Sequence, residues 1–223
     1  MQNFRTSLLA IAAIVAATLT VPSHALAAST PALDAFNAAF GKTASFTYNL
    51  HSHETKGNDV QDRVYNYSFM KPNLAKTLIA SGPGKGSGGV WAGGDQVSGH
   101  QGGFLSGIHL KISMHDGRAT SLRGYTIPDG LPQMIVATYQ NVKGTLKETN
   151  NAGAIGGGQT DLVELTVADP ASNDGVSDKK IYFSQSTHFP VREIVYAGSQ
   201  KVLDQSFTDW NLNANLTQND FPF

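Results

Sequence analysis

Residues 66–97, NYSFMKPNLAKTLIASGPGKGSGGVWAGGDQV, decide the fold. Tyr65, Tyr67 and Phe69 alternate with Asn66 and Ser68, the period-two pattern of a strand with one aromatic face. Pro72 breaks the ladder and residues 74–80 resume it. Residues 82–89 (GPGKGSGG) form a loop. Val90-Trp91, the turn Gly93-Gly94-Asp95 and residues 96–98 then continue an antiparallel meander. All of this strand is spent without an obvious catalytic group.

Upstream, Phe46, Tyr48 and Leu50 alternate with Thr47 and Asn49, and the polar turn 56–59 joins the two aromatic strands. Before them the period is helical. Thr30 is placed as N-cap, Pro31 opens the helix, Leu33, Phe36 and Phe40 fall on one stripe, and Gly41 is expected to close it. Downstream, residues 104–143 mix short apolar groups with Gly and Pro, and 131–139 (LPQMIVATY) read as helix. Strand patterns return at 163–167, 181–183, 191–196 and 202–212, between polar loops at 150–158 and 169–178. The plan is helix, strands, helical insert, strands, with no internal repeat and no linker. A twisted sheet of so many strands curls toward a barrel and lays its few helices over the open side. The expected class is mainly β (α+β), and residues 28–223 are expected to form a single domain.

The chain opens MQNFRTSLLAIAAIVAATLTVPSHALAAST. Arg5, the apolar run 8–19 and Ala25-Leu26-Ala27 have the order of a secretory signal peptide over residues 1–27, which places the mature protein in the periplasm. Pro22, Ser23 and His24 interrupt the run before it reaches membrane-spanning length. The formal net charge of −1 shows no basic excess and argues against a nucleic-acid partner. With zero Cys in the chain, packing alone must hold the fold, although an oxidising compartment would permit disulfides.

Tests for chemistry return little. Residues 82–89 lack GK[ST] and lead into a strand, so no phosphate loop is expected. Gly84-Lys85-Gly86-Ser87-Gly88 puts Ser87 one position off a nucleophile elbow and lacks its strand-to-helix setting. His51 and His53 point to one side of a strand, with His100, His109 and His115 as conceivable third ligands, yet no spaced signature accompanies them. Solvent-facing strand histidines are the preferred reading. No metal, no cofactor and no catalytic residue is expected.

The helix running into KTASFTYNL, the strand closing on Met70-Lys71-Pro72-Asn73-Leu74, the glycine turn before Val90-Trp91, and the tail 204–213 (DQSFTDWNLN) followed by Phe221 together resemble the LolA family of periplasmic lipoprotein carriers and its wider LolA-like superfamily. The resemblance implies an unclosed antiparallel β-barrel with an α-helical lid and an apolar interior that receives lipoprotein acyl chains. It also implies that the basic residue before the proline, here Lys71, holds the lid. The family carries Arg there, and Lys lacks the planar donor fork of Arg. Residues 106–139 depart from the family pattern, so a relative with another lipid is as compatible as the carrier itself.

The leading expectation is therefore a monomeric, non-enzymatic binding or carrier protein for acyl chains or other lipids, acting in transport to the outer membrane with membrane-bound donor and acceptor proteins. A sensor or partner-docking domain without a stable ligand is the alternative, and a small periplasmic enzyme is a third reading. The residues expected to line the cavity are Phe36, Phe40, Tyr48, Tyr67, Phe69, Trp91, Met134 and Ile135, with Lys71 controlling the lid.

Overall fold

The computed structural model describes residues 29–222 apart from residue 106; the expected signal peptide lies outside the described residues. Twelve strands form one antiparallel sheet. The first meander is β1 (Ser45–Lys56), β2 (Asp59–Met70), β3 (Leu74–Ser81), β4 (Gly88–Trp91), β5 (Gln96–His100) and β6 (His109–Ser113). The second is β7 (Gly144–Thr149), β8 (Ala154–Ile155), β9 (Gly158–Val167), β10 (Asp178–Ser184), β11 (Pro190–Ala197) and β12 (Gln200–Asn211). The meanders join where the first strand pairs with the last, giving the order β6-β5-β4-β3-β2-β1-β12-β11-β10-β9-β7. The edge strands β6 and β7 do not pair, so the sheet curls into an unclosed barrel, as the sequence resemblance implied. The connection between them crosses the gap and carries helix α2 (Pro132–Asn141). Helix α1 (Pro31–Lys42) precedes β1.

Alternation decides which side chains enter. On β1, Phe46, Tyr48, Leu50, Ser52 and Glu54 are buried, while the residues between them are exposed or half-buried. Phe46 stacks on Phe69 of β2 at 4.9 Å and meets Phe189 and Trp210 edge-on at 5.9 and 5.6 Å. From α1, Phe36 lies 5.4 Å from Phe189 and 6.0 Å from Phe183. Such ring pairs each add about 0.5–1.5 kcal/mol beyond the burial of their area. This aromatic end of the barrel is filled.

Two local expectations are corrected, and a third holds without its capping bond. Gly41 lies inside α1, which ends at Thr43, an extended residue whose N–H donates to the Phe40 carbonyl. Thr30 stands at the N-cap, but its side chain makes no capping bond; the Ala32 N–H is met instead by Glu148 Oε2 of β7 at 3.0 Å. A carboxylate at a helix N-terminus satisfies an orphan donor and the helix dipole together. Strand β6 falls within the stretch read as irregular, although HLKIS does alternate.

On the opposite face of the sheet, Arg192 of β11 forms a two-pronged pair with Asp204 of β12 at 2.9 and 2.8 Å, and Lys201 adds a contact at 2.6 Å. Burial opposes the Asp204 carboxylate, but the two cations outweigh it and hold its pKa below the usual value. Stability from a depressed acid is present above its unfolded pKa and is lost as pH falls through the folded one. Asp204→Asn is expected to cost about 1–2 kcal/mol at neutral pH. Urea unfolding of both proteins should show that difference fading in acid; a gap that persists at about pH 2 would mean the pair is not its source.

Candidate ligand cavity

The inward face of the barrel is built in cross-strand rows. Phe46, Phe69 and Ala75 make one row, continued by Trp91. In the next, Tyr48, Tyr67 and Thr77 are followed by Gly89, Gly99 and Leu110. The third runs Phe207, Leu50, Tyr65, Ile79. A fourth is polar: Arg63, Ser52, Gln205 and Glu193 stand side by side on four adjacent strands.

The second row loses its large side chains on β4 and β5. Where β1 and β2 contribute two tyrosines, β4 and β5 contribute two glycines. A Cβ on Gly89 would come within 2.9 Å of Val97 Cγ2 and 3.2 Å of Ile127 Cδ1, and one on Gly99 would meet the Gly88 carbonyl. Neighbouring atoms thus already occupy those positions, and the two glycines border a cavity of about 480 Å³. That is within the range of small-molecule sites, about 300–1,000 Å³. Leu50, Ile79, Val97, Ile112 and Ile127 supply apolar walls, and the polar row borders it through Arg63, Ser52 and Gln205.

The roof is residues 117–130, which hold one short 3₁₀ helix (Pro128–Gly130) and no α-helix. It is pinned by groups from the sheet. Glu54, only 2% exposed, accepts the Ser121 hydroxyl at 2.7 Å and the Arg123 N–H at 2.9 Å, and Gln61 Oε1 accepts the Leu122 N–H at 3.1 Å. Farther along, the Tyr48 hydroxyl donates to the Gly130 carbonyl at 2.7 Å and the Tyr67 hydroxyl to that of Ile127 at 3.3 Å. Burial pushes both tyrosine pKa values well above the usual, so they stay neutral donors. Tyr125 is pushed up to about 12, first by burial and then by the nearby Glu193.

The residues expected to line a cavity are distributed as follows. Tyr67 borders it. Phe36, Phe40 and Phe69 belong to the aromatic cluster under α1, and Tyr48 holds the roof from that side. Trp91 packs half-buried on β4, its indole N–H donating to the Gly94 carbonyl at 2.9 Å. On α2, Ile135 is buried in the core and Met134 is 43% exposed. Lys71 Nζ donates to the Phe40 and Gly41 carbonyls at 2.7 and 3.0 Å and lies 4.5 Å over the Phe40 ring. It therefore clamps the C-terminus of α1, where a cation meets the negative end of the helix dipole.

Residue-type reasoning missed Ser52, Glu54, Arg63, Tyr65, Gln205 and the roof. Parity alone would have placed Ser52 and Glu54 on the face of Tyr48. Of the histidines, His51 is exposed and His53 Nδ1 lies 2.6 Å from Asp62 Oδ1. His100 borders the cavity, with its ring 5.8 Å from that of His109. Among the described residues, no group of three or more His, Cys, Asp or Glu is placed to hold a metal ion, and no helix is long and apolar enough to cross a membrane.

No family model matches the chain, and no curated protein matches it. Among solved structures it is similar to the lipoprotein LppX of Mycobacterium tuberculosis, at 16% identity over 85% of this chain and 100% of that one, with a TM-score of 0.48. A LolA superfamily protein of Nitrosomonas europaea is similar at 13% identity over 87% and 99%, TM-score 0.42. An outer membrane lipoprotein-sorting protein domain from Vibrio parahaemolyticus is similar at 10% identity over 85% and 95%, TM-score 0.43. At such values the likeness assigns this chain no activity and no partner.

Proposed function

We propose that this chain is a monomeric periplasmic binding protein that carries a lipid-like ligand in the barrel cavity, without catalysis. The carrying observation is the pocket of about 480 Å³ set inside the curled sheet and bordered by its inward-facing side chains. Each buried methylene is worth about 0.8 kcal/mol, so a ten-carbon chain offers about 8 kcal/mol before the costs of association. Shuttling acyl chains of lipoproteins toward the outer membrane, between membrane-bound donor and acceptor proteins, is the specific form of this reading. Glu54, the one carboxylate buried against the cavity among the described residues, takes two roof hydrogen bonds on Oε2 and one from Ser52 on Oε1, which supports a clasp rather than an acid or base.

Native mass spectrometry of the protein purified from the periplasm, followed by organic extraction, tests the reading. A stoichiometric lipid adduct is the expected result; an apo mass with no uptake of added lipids or lipopeptide would refute it. Lys71→Glu is expected to weaken the clamp on α1 by about 2 kcal/mol, which is about 30-fold faster local opening. Amide exchange over residues 34–42 reads the opening, and stopped-flow release of a bound lipid reads its consequence. Unaltered release kinetics would remove Lys71 from the mechanism.

A partner-docking role is favoured by one separate observation. Among the described residues no strand pairs with the outer side of β6, and Leu110 on it, with Ile108 and Phe104 just before, are 44%, 54% and 95% exposed respectively. An apolar sheet edge of this kind is open to strand addition by another chain.

A further inference from the structure

The turn between β3 and β4, residues 82–87, borders the cavity through Gly84, Lys85 and Ser87. It is closed by the Gly86 N–H donating to the Ile79 carbonyl and the Ile79 N–H to that of Ser87, both at 2.8 Å. Gly84, Lys85, Gln101 and Arg118 line the cavity and are exposed, which places an opening beside this turn. Just inside stands Arg63, half-buried on β2. Its Nε donates to the Pro83 carbonyl at 2.7 Å and its Nη1 to the Tyr65 hydroxyl at 3.3 Å, which fixes the guanidinium in place.

This guanidinium has no counter-charge. Among the described residues Nη2 donates to no side chain or carbonyl, and no carboxylate lies within 4.0 Å of Arg63 or of Lys85. Arg118 differs, being held two-pronged by Asp116 at 2.9 and 2.7 Å. The carboxylates of the lining are engaged with the roof: Glu54 accepts from Ser121 and Arg123, and Asp129 from the Thr126 N–H and hydroxyl at 2.8 and 2.7 Å. Two hydroxyls stand beside Arg63 with protons still to give. Tyr65 accepts from Arg63, Ser87 Oγ accepts the Gly102 N–H at 2.9 Å, and neither donates to another of the described residues. Burial raises the Tyr65 pKa against the opposing effect of Arg63, so the phenol keeps its proton. Arg63 Nη2 and Ser87 Oγ lie 3.6 and 3.8 Å from the point a Cβ on Gly84 would occupy, so both face one spot. A cation drawn partly out of water, with fixed geometry and donors beside it, is completed by an oxyanion, for which the planar guanidinium fork is suited.

From the unpaired Arg63 guanidinium and the Tyr65 and Ser87 hydroxyls gathered at the mouth of the cavity, we infer that the ligand is an amphiphile with an anionic head, a carboxylate or a phosphate, bound by these three side chains. The inference rests on the lipid-binding reading above and adds to it the class of head group. The tail runs inward along Leu50, Val97 and Ile127, and Lys85 at the rim draws the anion toward the opening.

Four probes with one twelve-carbon chain test it: laurate, dodecyl phosphate, glycerol monolaurate and dodecyltrimethylammonium. Each competes at pH 8 against the uncharged fluorophore N-phenyl-1-naphthylamine on the delipidated protein purified from the periplasm. At least one of the two anions is expected to displace the fluorophore at a concentration about 10-fold or more below the monoglyceride, with the cation weakest. Whichever anion leads names the head. Arg63→Gln should bring the anions within about twofold of the monoglyceride, and Arg63→Lys, which keeps the charge, should restore a preference of at least about threefold. Equal potency of anionic and neutral heads on the unmodified protein, or a preference for the cation, overturns the inference and leaves lipid binding standing. An anion preference that survives Arg63→Gln undiminished overturns the assignment to this site. Failure of the fluorophore and of every probe to bind overturns the lipid-binding reading and this inference with it. The ratio on the unmodified protein decides even if the Arg63 variants do not fold.

Discussion

Phe46→Ala is expected to lower the unfolding free energy by about 4 kcal/mol, the middle of the range for deleting a fully buried phenylalanine. The Phe46 side chain is 0% exposed and touches five rings: Phe40, Tyr48, Phe69, Phe189 and Trp210. These come from α1, β1, β2, the approach to β11, and β12, so the void would open where both meanders and the leading helix meet. With zero Cys in the chain there is no disulfide to limit the loss. For a domain of this size about 4 kcal/mol corresponds to a fall of about 8–16 °C in Tm. Phe104→Ala, at a residue 95% exposed, should change stability by less than about 0.5 kcal/mol and serves as the comparison. Urea denaturation with unchanged slope measures both. A loss under about 1.5 kcal/mol for Phe46→Ala would mean that the aromatic end repacks, and that it is not the rigid part of the barrel.

Thr77→Trp is expected to abolish most ligand binding and leave the fold in place. Thr77 lies on β3 between Tyr67 and Gly89 in the row where side chains give out, and it borders the cavity. An indole there would project into that cavity. If it displaces about four methylenes of a bound chain, the loss is about 3 kcal/mol, or somewhat over 100-fold in Kd. Because the side chain enters an existing void, Tm should stay within about 3 °C of the parent. Met134→Trp, on the exposed side of α2, should leave affinity unchanged. Equal lipid affinity in the Thr77→Trp protein would place the ligand outside this cavity, and the exposed edge of β6 would then be the next surface to test.

Much of the architecture can be read directly from local pattern. The alternation of Phe46, Tyr48 and Leu50, and of Tyr65, Tyr67 and Phe69, marks two strands and their shared inner face, because a strand's side-chain period of two is set by the backbone alone. The stripe of Leu33, Phe36 and Phe40 marks α1 in the same way, and residues 131–139 mark α2. These features need no knowledge of distant residues. What they leave open is how each inner face is filled.

That second question was decided by pairing across the chain. Ser52, Gln205 and Glu193 are far apart in sequence and become neighbours only because β1 pairs with β12 and β12 with β11. Glu148 reaches the start of α1 from 116 residues away, which local capping rules looking at Thr30 do not register. The cavity itself is lined by residues of β1 to β6, β12 and 117–130, which only the pairing of the strands brings around one space. A glycine in a strand reads locally as weak propensity, and the close neighbours that require it at Gly89 and Gly99 appear only when the row is assembled. Sequence by itself determined which residues share a strand face, since that is a property of the backbone period. Only the tertiary structure decided which inward rows are packed and which stay open, because packing depends on volumes summed over strands that meet through register.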